Sequence, residues 1–331
     1  MTEPQSTLES ALGGAETVID VRTPAEHAKG AIAGSVNIPL FSDGERAELG
    51  TLYKQVGRGT AVGRGQEIVG KRLKEFVSAF EPHRERRLLV YCARGGMRSA
   101  SVVKLLELLD YRVAQLPGGY KAFRNYLLAE LERLVPQRIV VIHGQTGVGK
   151  TRILRQLPNM LDLEDLAQHR SSLFGGVNRR PRTQQQFEAH LLQALQALDP
   201  SRPVWVEGES RKVGPVMLPK PLMVAMKQGT CVLLTASLET RVRRIVEEYS
   251  GDDPGTLPQL VAALRTLAPL FGKARTEELV DKLQAGDSET VVRSLLVDYY
   301  DPRYGHAMRQ YRYALTLSAE DEAQAVAALR A

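Results

Sequence analysis

The chain has 331 residues, 43% of them hydrophobic and 25% charged, which is room for about two domains of roughly 150 residues and excludes disordered, collagen-like and coiled-coil chains. Lys and Arg number 44 against 38 Asp and Glu, a formal charge of +6 that favours polyanionic partners without selecting one. No run approaches the roughly 18 uncharged apolar residues of a membrane helix, and the opening MTEPQSTLES lacks the basic and apolar regions of a leader, so a cytoplasmic protein with no membrane partner is expected.

In chain order, the apolar run Thr17-Val-Ile-Asp-Val-Arg22 predicts a short buried strand, and Arg87 to Tyr91 a second that stops at Cys92. From Arg98 to Asp110 the spacing is helical, with Val102, Val103, Leu105, Leu106, Leu108 and Leu109 on one wide face. Tyr111 to Leu116 predicts a further strand, and Pro117-Gly118-Gly119 a closing turn. Tyr120 to Leu134 reads as an amphipathic connecting helix, and Pro136 marks a boundary. A first domain over 1–128, a link over 129–135 and a second domain over 136–331 follow. The second opens with the β-branched run Arg138 to His143, continues through helix-like stretches such as Thr183 to Leu198, and returns to strands at Pro203 to Glu207 and Gly229 to Thr235. Strands alternating with helices imply parallel sheets, so both domains are expected to be α/β. From Leu257 to Ala331 the chain reads as mostly helical.

Only two cysteines are present, which excludes a disulfide framework and a cysteine-based zinc site. Cys231 lies inside an apolar run and reads as a small core residue. Cys92 stands instead between a strand and a helix start, in Tyr91-Cys-Ala-Arg-Gly-Gly-Met-Arg-Ser99. Backbone N–H groups of such a loop form an anion nest at the positive end of the helix dipole, a field that favours the nucleophilic thiolate. Gly95 and Gly96 allow the tight turn, Arg94 adds charge, and Arg98 offers a charged fork to close the cradle.

Residues of about 10 to 125 resemble a rhodanese domain, on Val18-Ile-Asp-Val-Arg-Thr-Pro-Ala-Glu-His27, Gly30, Ala31 to Gly34 and Asn37-Ile-Pro39, with Cys92 at the family's sulfur-carrying position. The resemblance implies a chalcogen held on Cys92 and cradled by loop amides. Cys92 to Arg98 is six positions, one more than the usual rhodanese spacing and equal to the C-x5-R of cysteine phosphatases. A longer loop makes a larger cradle, suited to a tetrahedral anion or a larger chalcogen.

Gly144-Gln-Thr-Gly147-Val-Gly149-Lys150-Thr151 fits G-x-x-x-x-G-K-[ST] between a β-rich run and a helical pattern, the context of a phosphate loop. Glycine N–H groups meet phosphate oxygens, Lys150 supplies a point charge, and the Thr151 hydroxyl is placed to ligate Mg2+. Glu207, at the end of a later strand with Glu209 two residues on, reads either as an acid holding a metal-bound water or as a solvated loop acid. No aspartate stands there, which argues against vigorous nucleotide hydrolysis. Arg170, Ser171, Arg179, Arg180 and Arg211 are candidates for gripping RNA phosphates or another anion, and Lys220, Arg241, Arg243 and Arg244 read as further charge on a solvated face. Tyr299, Tyr300, Tyr304, Tyr311 and Tyr313, among Arg303, Arg309 and Arg312, are either base-stacking platforms or helix core.

A rhodanese-like parallel-sheet domain joined to a P-loop NTPase-like α/β domain with a helical C-terminal part resembles the tRNA 2-selenouridine synthase family. Beyond the two loops, the likeness rests on Cys92 to Ser99, His169-Arg170-Ser171-Ser172 with Phe174-Gly175, Val206-Glu207 with Glu209-Ser210-Arg211 and Gly214, and Tyr299-Tyr300-Asp301-Pro302 with Tyr304. Gly208 departs from it, since an acid is expected there. The resemblance implies exchange of sulfur for selenium at C2 of 2-thiouridine in the first anticodon position of tRNA, through an S-geranyl intermediate. It implies geranyl diphosphate and selenophosphate as substrates, tRNA and selenophosphate or its synthase as partners, a selanyl group on Cys92 and no tightly bound cofactor; the loop residues themselves make Thr151 and Glu207 the candidate ligands for Mg2+, which the Gly208 departure from the resemblance argues against. An ATP-coupled sulfurtransferase with a Cys92 persulfide, an anion-sensing regulatory protein and a C-x5-R phosphatase are the alternatives. The last lacks an assignable general-acid aspartate.

Overall fold

The first four strands, β1 (Thr17–Asp20), β2 (Val36–Asn37), β3 (Leu88–Tyr91) and β4 (Val113–Gln115), form a parallel sheet in the order β2-β1-β3-β4. Every residue of β3 is buried, the signature of a strand covered on both faces. This computed structural model describes residues 10–250 and 253–331, with side chains except at Tyr304, His306 and Ala307. Residues 1–9, where a leader was sought, lie outside the described residues. The chain divides into units Met1–Glu130 and Leu131–Ala331, and the helix Gly119–Arg133 crosses the division.

In the first unit Val102, Val103 and Leu106 of the helix Met97–Glu107 enter a core with Ile19, Phe80 and Val90. Leu108, expected on that face, is 82% exposed: the helix ends at Glu107, and at about 100° per residue position 108 already points away from 106. Between β2 and β3 lie two packed helices, Asp43–Gln55 and Arg58–Lys71, for which the sequence pattern carried no signal. Four glycines in Arg58–Lys71 lower its intrinsic helix propensity, so packing decides.

At the end of β1 the buried Asp20 carboxylate accepts from Arg22 Nε (3.0 Å) and Nη2 (2.7 Å), from Tyr91 Oη (2.8 Å), and meets His27 Nδ1 at 3.0 Å. The Arg22 guanidinium also donates to Gly30 O and lies 3.9 Å from the Tyr120 ring centroid. Asp20 and Arg22 are 0% and 3% exposed. A buried ion pair of this kind is costly to break from one side because the surviving charge is stranded.

The second unit holds β5 (Ile139–Gly144), β6 (Met160–Leu161), β7 (Val204–Glu207), β10 (Thr230–Thr235) and β11 (Tyr313–Ser318) in a parallel sheet of order β11-β10-β5-β7-β6, and a small antiparallel pair, β8 (Lys212–Val213) and β9 (Val216–Met217). The expected strands and the helix Gln184–Ala197 are present. The C-terminal third is helical from Thr256 to Met308, as expected, but β11 adds an edge strand to the sheet. Its residues are half-buried or exposed, so it lacks the continuous apolar run that marks the inner strands. Leu238–Tyr249, Thr256–Arg265, Lys273–Gln284 and Ser288–Leu295 pack a separate core on Leu264, Val280 and Leu296. Among the described residues no helix is long and apolar enough to cross a membrane.

Asp20→Ala is expected to destabilise the first unit by about 3–5 kcal/mol by leaving Arg22 buried and unpaired. Urea unfolding followed by far-ultraviolet circular dichroism measures this, while fluorescence of Trp205, the single tryptophan, reports the second unit and stays unchanged.

Candidate functional site

Cys92 follows β3 directly and is 3% exposed. Ser99 Oγ donates to its Sγ at 3.2 Å. Burial alone pushes the Cys92 thiol up; the Ser99 hydroxyl and the N–H groups of Ser99, Arg94 and Gly96 outweigh it and hold the thiol below its ordinary value. Gln115, at the end of β4, donates through Nε2 to Ser99 Oγ (2.8 Å) and Gly95 O (2.7 Å), so it orients the hydroxyl that serves the sulfur. Pro117 to Gly119 does more than close the unit. A Cβ on Gly119 (φ 58°) would lie 2.3 Å from Cys92 O, and the N–H groups of Tyr120 and Lys121 donate to Cys92 O and Ala93 O. Gly95 (φ 62°) and Gly96 make the turn itself, and the Arg94 side chain is exposed. Arg98, expected to close the cradle, gives its guanidinium to Glu26 at 2.8 and 3.3 Å. Burial raises the Glu26 carboxyl, but Arg98 more than offsets this and holds it below the usual range.

In the second unit the phosphate loop runs from β5 into the helix Lys150–Leu154. Lys150 Nζ donates to Gly144 O at 3.0 Å. Gly147 (φ 80°) sits where a Cβ would be 2.9 Å from Arg241 O, and Gly149 caps the helix. Two residues read as solvated charge support this loop from beneath. Arg241, 3% exposed, donates to Thr146 O (2.8 Å), Gln145 Oε1 (3.1 Å) and, bidentately, to Asp301. Arg244, 6% exposed, donates to Val148 O (2.8 Å) and Ala319 O (2.6 Å). Arg243 is exposed as expected. Two arginines three apart on a strongly amphipathic helix are the signal in the sequence, masked there because surface helices carry the same pattern.

Glu207 is 1% exposed, which rules out the solvated-acid reading. Thr151 Oγ1 donates to its Oε2 at 3.2 Å, and its Oε1 is buried with no hydrogen-bond partner. Carboxylate oxygens of Glu164, Glu207 and Glu209 lie within 4.8 Å of one another. Burial, and then the charge of neighbouring acids, pushes Glu164 and Glu207 well above the carboxylate range despite Lys150. An orphaned buried oxygen, a threonine hydroxyl and repelling acids fit a hard divalent cation such as Mg2+. Glu164 was missed in the sequence because it stands on the short helix Leu163–Ala167, not at the end of an apolar strand where an acid beside a phosphate loop is looked for.

Gly208 is explained by His143. A Cβ at 208 would lie 2.5 Å from the His143 ring, which also packs 4.2 Å from Tyr311 and whose pKa burial and then Lys150 push down to about 4. His169 is likewise wedged between Gly175 and Gly214. Arg170 pairs with Glu248 and lies over Tyr249; with Ser171 and Arg179 it lines the same cavity as Lys150 and Thr151. Arg180 and Arg211 are exposed outside that lining. Among the tyrosines, Tyr300 is buried in the helical core, Tyr299 packs on it under Arg303, and Tyr311 and Tyr313 flank His143. The Tyr304 side chain lies outside the described residues.

The cavity measures about 660 Å3. One end is the phosphate loop with the acids and Arg170; the other is walled by Leu260, Leu264, Leu283, Val291, Leu295 and Tyr300. Such a lining offers both charged groups for an anion and apolar surface for a hydrocarbon.

Ser99→Ala is expected to raise the Cys92 pKa, moving the pH midpoint of iodoacetamide alkylation upward; peptide mass spectrometry separates Cys92 from Cys231, whose thiol burial raises. The acid cluster gives a second expectation. Because folded Glu164 and Glu207 hold protons above the usual carboxylate range, a cation must displace them, so Mg2+ affinity rises with pH through neutrality and falls in Glu207→Gln, as isothermal titration calorimetry measures.

A family model described as the tRNA 2-selenouridine synthase AAA domain matches residues 137–261, and the rhodanese-like domain matches residues 5–126. A tRNA 2-selenouridine synthase of Pseudomonas syringae pv. syringae is 35% identical over 345 residues, spanning 95% of this chain and 94% of that protein. One of Hydrogenovibrio crunogenus is 34% identical over 336 residues, spanning 92% and 93%, and one of Cronobacter sakazakii is 40% identical over 246 residues, spanning 70% and 64%. With a rhodanese-like and a P-loop unit in this order and relatives matched nearly end to end, the chain belongs to the tRNA 2-selenouridine synthase family.

Proposed function

We propose that this chain converts 2-thiouridine at the first anticodon position (position 34) of tRNA to 2-selenouridine in two steps, one in each unit. The observation that carries the reading is the cavity of the second unit, where a diphosphate-binding loop opens onto apolar walls. The apolar walls match a prenyl chain, and with the family resemblance geranyl diphosphate is the substrate assigned to this cavity.

In the first step the 2-thiouridine sulfur attacks C1 of the geranyl group, and the C–O bond breaks with its electron pair leaving on the diphosphate. Lys150, the amides from Gly147 to Thr151, Arg170 and Arg179 hold that head and stabilise the departing charge. Thr151 and Glu207, with Glu164 and Glu209 beside them, would hold Mg2+, whose charge would screen the diphosphate. In the second step S-alkylation has made the sulfur a leaving group. Selenophosphate and water are consumed and geranyl thiol and inorganic phosphate are released. The exchange is redox-neutral overall, but carriage of the selenium on Cys92 as a selanyl group, S–SeH, gives two electrons to a disulfide-class oxidant on loading and takes two from a thiol on delivery to C2; the loop of amides, with Ser99 on the sulfur, holds that group. Arg180 and Arg211, exposed outside the cavity, are assigned to RNA phosphates, and the reaction is placed in the cytoplasm beside the synthase that supplies selenophosphate.

The test is nucleoside mass spectrometry of tRNA bearing 2-thiouridine after incubation with the protein, geranyl diphosphate and selenophosphate, without ATP. The geranylated and then the selenium nucleoside are expected; Lys150→Ala lowers the first, and Cys92→Ser lets it accumulate unconverted. Modification that appears only on adding ATP would overturn the reading in favour of an ATP-coupled sulfurtransferase.

A further inference from the structure

We propose that the rhodanese-like unit has its own binding cleft for the apolar chain of an S-alkylated 2-thiouridine, beside Cys92. The proposal rests on the two-step reading above, and supplies what its second step lacks: a place for the chain that leaves.

A cleft of about 1390 Å3 reaches from the cysteine loop along the helices Asp43–Gln55 and Arg58–Lys71. Its walls include Phe41, Leu49, Val62, Val69, Val102 and Leu105, and Cys92 and Met97 border it. Selenophosphate is a small, wholly polar anion, and the amides around Cys92 already suit it; an apolar wall along two helices adds nothing to its recognition. A branched hydrocarbon on the sulfur being exchanged matches that wall, and burying it removes apolar surface from water. The cleft touches the cysteine, so a chain within it brings its sulfur to the site of exchange.

Two further features fit this occupant. The helix Arg58–Lys71 carries glycines on its cleft side, each less favourable in a helix than alanine. Gly65 lets the helix close on Phe41, 3.4 Å from where its Cβ would be, but a Cβ on Gly70 meets nothing within 4 Å, so room there comes from a missing side chain. Around the cleft Arg46, Lys54 and Arg94 are exposed cations, complementary to the phosphates of an RNA whose modified base enters between them.

The test uses the full chain, selenophosphate, and two synthetic anticodon stem–loops carrying S-geranyl- or S-methyl-2-thiouridine. The wild-type chain is expected to convert the geranyl substrate with a kcat/KM at least about tenfold higher, the scale of discrimination set by a few methylenes in an apolar pocket. Gly70→Leu, which fills open space, and Val62→Phe, which narrows the cleft about two turns earlier on the same helix, bring the two substrates near parity through KM. Both variants keep the wild-type rate of geranylation, a reaction of the other unit. Equal use of both stem–loops by the wild-type chain, or an undiminished preference in variants with wild-type circular dichroism, overturns the cleft while leaving the two-step reading standing. Failure of the wild-type chain to geranylate 2-thiouridine or to turn over the S-geranyl stem–loop overturns that reading, and the cleft with it.

Discussion

A loop that turns its N–H groups toward an anion must turn its carbonyls the other way, and those carbonyls need donors of their own. Both units are built around that requirement. Behind the phosphate loop, Arg241 takes Thr146 O, Arg244 takes Val148 O and Lys150 takes Gly144 O. Behind the cysteine loop, the N–H groups of Tyr120 and Lys121 take Cys92 O and Ala93 O, and Gln115 takes Gly95 O. The supports differ because the surroundings do: the second unit uses guanidinium groups anchored on Asp301 and Glu322, which add positive field at the anion, whereas the first uses neutral amides, which leave the thiolate stabilised by hydrogen bonds.

The same requirement explains which residues were legible in the sequence. Glycines and a lysine at fixed offsets announce the forward side of each loop, because the chain can bend so sharply in few other ways. Inner parallel strands announce themselves as apolar runs, since both faces are covered. The reverse side is not local: Arg241 is 95 residues from Thr146, and Gln115 is 20 from Gly95. Nothing in the spacing of either residue distinguishes it from solvated surface. Edge strand β11 and the glycine-rich helix Arg58–Lys71 escaped for the opposite reason, since each lies where tertiary contacts override a weak local pattern.

Departures from expectation also have a common physical cause in close packing. Gly208 has no room for an acid because the His143 ring fills that space, and His143 is in turn kept neutral by burial and Lys150. An acid at that position would be an additional negative charge on a group already crowded with them. The His143 imidazole takes that space instead and packs against Tyr311 at the end of the strand that leads into the phosphate loop.

Charge balance then decides how the second unit's site can work. Lys150, Arg170 and Arg179 face Glu164, Glu207 and Glu209 across one cavity. Three ionised carboxylates would cancel the cations and repel a diphosphate, so on the proposed function the site would accept that head only when protons or a divalent cation neutralise the acids. The buried, unpartnered oxygen of Glu207 is the point where the two solutions compete. Protons neutralise the acids without adding positive charge, whereas a divalent cation held by Thr151 and Glu207 would add it and would turn the same three acids from an obstacle into an anchor. The apolar lining of the cavity contributes nothing to this balance, so on the proposed function the head of the substrate would be read by charge and its tail by shape.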